Sequence, residues 1–120
     1  MRAWIDKVSS ADFLNEIRRI GQYAKNVLVI FGGASSEYEV SLRSSASVLR
    51  NINRDKYNVY TLGITKDGRW LFYDGDIDSI ENNTWEKNTV SAIISPDKSE
   101  KSLLVFKGEK LEKIKIDIIF

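Results

Sequence analysis

Apolar positions along the chain fall into runs of changing period, and each change marks an expected element. Phe13, Leu14, Ile17 and Ile20 recur at helical spacing, and Ser9 with Asp12 has the separation of a capping box; together they predict a helix from about Ala11 to Tyr23. Asn26 to Phe31 (Asn-Val-Leu-Val-Ile-Phe) is an unbroken apolar run rich in β-branched residues and closed by Gly32-Gly33. That pattern predicts a strand buried on both faces of a parallel sheet. Ser36 with Glu39 is a second capping-box spacing, followed by Leu42, Ala46, Leu49 and Ile52 at intervals of four, three and three, which predicts a helix from about Glu37 to Asn51. Ser41, Ser44, Ser45, Ala46 and Ser47 keep that helix slim enough to lie close to a sheet.

Tyr57 to Ile64 resumes as a strand, so strand, helix and strand in about 40 residues form a βαβ unit with parallel strands and a right-handed crossover. Thr65-Lys66-Asp67-Gly68 is a turn signal, with a short strand expected from Arg69 to Tyr73. Asp74 to Asn88 has no clear period and reads as loop with at most one helical turn. Ala92 to Ile94 reads as a short strand stopped by Ser95-Pro96. Ser102 to Phe106 and Leu111 to Ile116 flank Lys107-Gly108-Glu109-Lys110, a β-hairpin signal. Ile114, Ile116 and Ile118 then alternate with charged residues, and Asp117 to Phe120 reads as the beginning of another buried strand. Domains seldom stop inside such a run, so the chain is expected to be a piece of something longer. The expected class is α/β: an open, Rossmann-like, mainly parallel sheet with a β-hairpin and an extra N-terminal helix. Residues 1–25 form the extension and residues 26–120 the domain.

Composition narrows the chemistry by exclusion. The 120 residues include no cysteine and no histidine. A disulfide framework, a thiolate nucleophile and Ser-His or Cys-His catalysis therefore have no residues to use. Eighteen basic against seventeen acidic side chains leave a formal charge of +1, too weak a field to draw nucleic acid or anionic lipid. The N-terminus has no signal-peptide core and no apolar run approaches a membrane span. A soluble, cytoplasmic protein without nucleic-acid or membrane partners is expected. Trp4, Trp70 and Trp85 are too scattered for a base-stacking platform and suit core or edge packing.

Phe31-Gly32-Gly33-Ala34-Ser35-Ser36-Glu37 is the segment with the form of a ligand site. Two glycines between a buried strand and a helix start allow close backbone approach, and the helix dipole favours negative charge there. A tight turn that needs only positive φ accounts for the same residues. The segment matches neither the dinucleotide fingerprint nor the P-loop, and no downstream Lys-Ser/Thr is present for phosphates. Its two acids separate by expected position: Glu39 at the third helical residue can bond back to the Ser36 amide, whereas Glu37 has no such obligation. Glu37 would stand at the carboxyl edge of a parallel strand, where open α/β sheets place ligands, and would suit a ligand ammonium.

Val27 to Leu42 (Val-Leu-Val-Ile-Phe-Gly-Gly-Ala-Ser-Ser-Glu-Tyr-Glu-Val-Ser-Leu), Ser45 to Leu49, Lys56-Tyr57 and Gly63 to Trp70 closely resemble the N-terminal domain of D-alanine–D-alanine ligases. The likeness extends from Asn26 to Phe120, and Asn82-Asn83-Thr84-Trp85 is most similar to the vancomycin-resistance branch that makes D-alanyl-D-serine. The resemblance implies an ATP-grasp ligase of peptidoglycan synthesis, in which ATP phosphorylates one D-alanine and the amine of a second D-amino acid attacks. It also implies that Glu37 contacts the first substrate's ammonium and that Val40, with Gly33 and Ser36, lines that substrate's site. ATP and magnesium are implied for the full-length family, held by central and C-terminal domains that this chain does not include. The chain is therefore expected to bind no cofactor and to be inactive alone. A non-catalytic module that self-associates, for example as a homodimer, or binds a partner is the alternative.

Overall fold

A computed structural model describes residues 25–87 and 89–120. The helix expected over about 11–23 lies outside the described residues. The elements run β1 (Lys25–Gly32), α1 (Tyr38–Asn51), β2 (Tyr57–Ile64), β3 (Trp70–Tyr73), α2 (Ile77–Glu81), a 3-10 turn (Trp85–Lys87), β4 (Thr89–Ile94), β5 (Ser102–Lys107), β6 (Lys110–Lys115) and β7 (Ile118–Ile119). The α/β class, the βαβ unit and the hairpin stand where the apolar pattern placed them. Among the described residues no helix is long and apolar enough to cross a membrane.

The seven strands are ordered β6-β5-β4-β3-β2-β1-β7. Parallel pairing is confined to β2-β1-β7, with Lys25 opposite Tyr57 and Val27 opposite Ile118. From β2 outward the pairs β2-β3, β3-β4, β4-β5 and β5-β6 are antiparallel. The expectation of a mainly parallel sheet is corrected accordingly: it is mixed, because only the first crossover carries a helix long enough to return the chain parallel.

The sheet is also strongly curled. β6 and β7 occupy its two ends, yet only Ile116 and Asp117 separate them. Ile116 N–H donates to Lys101 O at 2.8 Å and Asp117 N–H donates to Asn26 O at 2.8 Å, so the hydrogen-bonding partner changes from one end of the sheet to the other within one residue. Asn26 fastens this junction. Its amide N–H donates to Asp117 Oδ2 (2.8 Å), its Nδ2 to Lys115 O (2.7 Å), and its Oδ1 accepts from Asn58 Nδ2 (3.0 Å).

Curling gives β1 a core on each face, which explains why Val27 to Phe31 are all buried. Leu28 and Ile30 point inward with Leu62, Ala92, Ile94, Leu103, Val105, Ile114 and Ile116. Val27, Val29 and Phe31 point outward to Tyr38, Leu42, Val48 and Leu49 of α1 and to Ile80 of α2. Ser45 and Ala46 are buried on the same helix, as its small residues predict. Asp76 caps α2, its side chain accepting from Ser79 N–H at 2.9 Å, and Arg50 ties the helices together through Asp78 (2.7 Å) and Glu81 (2.9 Å).

Candidate functional site

β1 and β2 deliver their carboxyl ends side by side, and the chain must turn sharply there to enter α1. Gly32 (φ +87°) and Gly33 (φ +115°) make the turn in the left-handed region that disfavours side chains. A Cβ on Gly32 would also fall 2.2 Å from Ile64 O, so sterics as well as φ require glycine. Gly33 N–H donates to Ile64 O (2.8 Å) and Gly32 N–H to Ser41 Oγ (3.0 Å). These two bonds pin the turn to β2 on one side and to α1 on the other. With both glycine amides engaged inside the protein, the phosphate-cradle reading loses its main donors.

The helix starts one residue later than the capping-box spacing implies. Ser35, not Ser36, serves the turn: its Oγ accepts from Glu37 N–H (3.2 Å) and its carbonyl from Tyr38 N–H (3.2 Å). Glu37 is the N-cap, with φ −87° and ψ 8° and no side-chain capping bond. No bond from Glu39 back to Ser36 forms among the described residues. The structural role expected of Glu39 is therefore replaced by a simple favourable charge in the first helical turn.

Gly33, Ser36, Glu37 and Val40 lie together on the rim above β1. Gly33 is half-buried, Ser36 and Glu37 are exposed, and Val40, three residues beyond Glu37, leaves 45% of its surface in solvent. Three-residue spacing puts Glu37 and Val40 on one helical flank. The carboxylate of Glu37 has neither a hydrogen bond nor an ion pair among the described residues. A lone carboxylate beside an exposed apolar side chain, on a fixed backbone, can receive an ammonium next to a small apolar group.

The bonds that join Tyr38 to Asn83 and Trp85 escaped the sequence reading, although the packing role expected of Trp85 holds. Tyr38 is buried, and its hydroxyl donates to Asn83 Oδ1 (2.7 Å) while accepting from Trp85 Nε1–H (3.1 Å). Burial raises the Tyr38 phenol above its ordinary value; the Trp85 bond opposes this and the Glu86 charge adds to it. Lys66 Nζ stands 5.1 Å from the centre of the Tyr38 ring, a cation–π distance. Trp85 meets Phe31 edge-on with centroids 4.8 Å apart and presses on Gly63, where a Cβ would lie 2.3 Å from Cζ3. A glycine inside the apolar run Tyr57 to Ile64 was the available signal, since such a residue often marks close approach of another group. Below Lys66, Thr65 Oγ1 bonds Asp67 and accepts from Arg69 N–H (2.9 Å). The Thr65 bond, helped by Arg69, holds the Asp67 carboxyl below the usual carboxylate range.

No group of three or more metal-ligating side chains comes together among the described residues.

Comparison with known proteins shows the family of the chain. The family described as D-ala D-ala ligase N-terminus matches residues 26–120. A D-alanine–D-alanine ligase of Thermoanaerobacter sp. (strain X514) is 40% identical over 96 residues, covering 80% of this chain and 27% of that protein. One of Acetivibrio thermocellus is 62% identical over 63 residues, 52% of this chain and 17% of its own length. Among solved structures, the VanG D-Ala:D-Ser ligase from Enterococcus faecalis superposes with a TM-score of 0.72 at 41% identity, over 81% of this chain and 28% of that one. The D-alanine-D-alanine ligase from Coxiella burnetii shares the fold, with a TM-score of 0.62 at 21% identity over 80% and 28% of the two chains. The chain thus spans little more than a quarter of the relatives it matches along most of its length, and through residues 26–120 it belongs to the family of D-alanine–D-alanine ligase N-terminal domains.

Proposed function

We propose that residues 26–120 form the substrate-side domain of an ATP-dependent ligase that joins D-alanine to a second D-amino acid for peptidoglycan synthesis. In this reading Glu37 receives the ammonium of the first D-alanine, Val40 lies against its methyl group, and Gly33 and Ser36 complete the wall. The observation that carries the reading is the Glu37 carboxylate, without a partner among the described residues, held on a rigid N-cap at the carboxyl end of β1 beside the exposed Val40. The N-terminus of α1 adds a fixed positive potential near the carboxylate of a ligand seated there.

In this reading the described residues form one wall of the site, and the ligand's cover and the ATP chemistry come from other residues. On its own the chain forms one wall and leaves the dipeptide unmade. The second substrate is open between D-alanine and D-serine. The 41% identity to the VanG D-Ala:D-Ser ligase stands beside 40% and 62% to D-alanine–D-alanine ligases, so identity does not separate the two branches.

The test joins the full chain in frame to the remaining domains of the VanG ligase. Glu37→Gln keeps the volume and removes the charge. Losing a charged partner at a desolvated site costs about 2 kcal/mol or more, which is roughly a thirtyfold fall in kcat/KM. ATP binding should change little. Undiminished turnover in Glu37→Gln would remove Glu37 from the mechanism.

A further inference from the structure

We infer that Tyr38 is a positioning residue for Glu37, acting through its hydroxyl, which latches the first turn of α1 to the loop that carries Asn83 and Trp85. The inference rests on the function proposed for Glu37 and adds a second residue to that site.

The latch has two ends of unequal rigidity. One end is deep in the fold: Trp85 is 1% exposed, edge-on to Phe31 at the end of β1 and seated over Gly63 of β2. Its loop is wound by Asn82 N–H to Asp78 O (2.9 Å), Asn83 N–H to Ile80 O (3.1 Å) and Thr84 N–H to Ser79 O (2.8 Å). Asn83 adopts φ +59°, a conformation asparagine tolerates better than most residues, and this brings its amide oxygen to Tyr38.

The other end is the rim. Glu37 immediately precedes Tyr38 and has no side-chain partner among the described residues, so its orientation depends on the backbone that carries it. Further along α1, Leu42, Ala46, Leu49 and Ile52 hold the helix to the sheet. The first turn has the Ser41 to Gly32 bond and the Tyr38 hydroxyl. Phenylalanine would fill nearly the same volume, so what the hydroxyl adds is direction: it accepts from Trp85 and donates to Asn83 at once. Lys66 closes the outer face of the ring.

Two measurements on Tyr38→Phe test this. In the full 120-residue chain, amide hydrogen exchange at Ser41 and Leu42 should accelerate about tenfold more than exchange at Val29 and Leu62 in the sheet. Equal acceleration everywhere would mean that the hydroxyl only stabilises the fold, and would overturn the inference. In the fusion with the VanG ligase domains, Tyr38→Phe should lower kcat/KM about tenfold with Glu37 present. In the Glu37→Gln background it should have almost no further effect, because residues acting as one unit are not additive. An equal loss in both backgrounds would refute positioning through Glu37. If the unmutated fusion turns over no substrate, the proposed function fails, and the exchange pattern still decides whether the latch orders the first turn.

Discussion

Replacing Gly63 by alanine tests the packing beneath the candidate site. The φ of Gly63 lies outside the left-handed region, so alanine meets no backbone strain there. Its Cβ would instead lie 2.3 Å from Trp85 Cζ3, 2.5 Å from Trp85 Cη2 and 2.8 Å from Phe31 Cζ. Phe31 and Trp85 are at most 1% exposed, so neither ring can swing into solvent. Overpacking of this kind costs about 1–3 kcal/mol, and contact with two locked rings puts Gly63→Ala near the upper end. In a chain of this length that is a melting-point fall of the order of 10 °C. Gly108 is the contrasting control: a Cβ there meets nothing within 4 Å, but φ is +63°, so Gly108→Ala should cost about 1 kcal/mol from conformation alone. Urea unfolding followed by tryptophan fluorescence measures both. Trp85→Phe withdraws the Cζ3 and Cη2 atoms and leaves the Phe31 contact, so Gly63→Ala should cost about 1 kcal/mol less in that background. A Gly63→Ala variant within about 0.5 kcal/mol of the parent, or an unchanged penalty in the Trp85→Phe background, would refute the account of Trp85 packing.

Two further outcomes follow from the fold. Asn26→Ala removes the bonds to Lys115 O and from Asn58 Nδ2. A loss of about 1–3 kcal/mol, with faster exchange of the Phe120 amide that donates to Leu28 O, should appear by hydrogen exchange. Alkaline stability should depend on Tyr38 and Tyr73, both raised from the ordinary 10.0 chiefly by burial. The contribution of a raised group is complete below its unfolded value and is lost as pH rises through the folded one. Unfolding free energy should therefore decline from about pH 10 upward, and Tyr38→Phe should flatten that decline; an identical slope in the variant would exclude Tyr38 as its source.

What could be read from the sequence follows the length of each element. β1 and β2 are runs of eight residues, β1 buried throughout its middle, and α1 repeats its apolar stripe for 14 residues, so their patterns identify them. α2 has five residues, too few for a period, and its only signal is the Asp76–Ser79 cap. The error at the start of α1 is of another kind: Ser35 and Ser36 carry the same chemistry, and spacing alone does not say which hydroxyl serves the turn. The curl of the sheet was hidden for a third reason. Ile114, Ile116 and Ile118 alternate as one strand would, while the hydrogen bonds change edges at Asp117, and side-chain alternation carries no record of that change. The place of Glu37 at the start of α1 was legible because a glycine pair and a helix start bracket it; the bonds that join Tyr38 to Asn83 and Trp85 were not, because 45 residues separate Tyr38 from Asn83.

The mixed sheet also explains why the candidate site sits where it does. In an antiparallel pair, neighbouring strands end at opposite sides of the sheet, and tight turns tend to fill the space at each end. Only β1 and β2 run parallel with a helical crossover between them. At their carboxyl ends the chain leaves in different directions, from β1 through Gly32-Gly33 into α1 and from β2 through the Thr65 turn into β3. That divergence sets the glycine turn and the start of α1 at the edge where parallel sheets bind ligands. The Gly33 bond to Ile64 O ties the turn to β2, and the Tyr38 hydroxyl braces the helix start that carries Glu37. The antiparallel half acts as a support, covering the inner face of β1 and β2 with Ala92, Ile94, Leu103 and Val105.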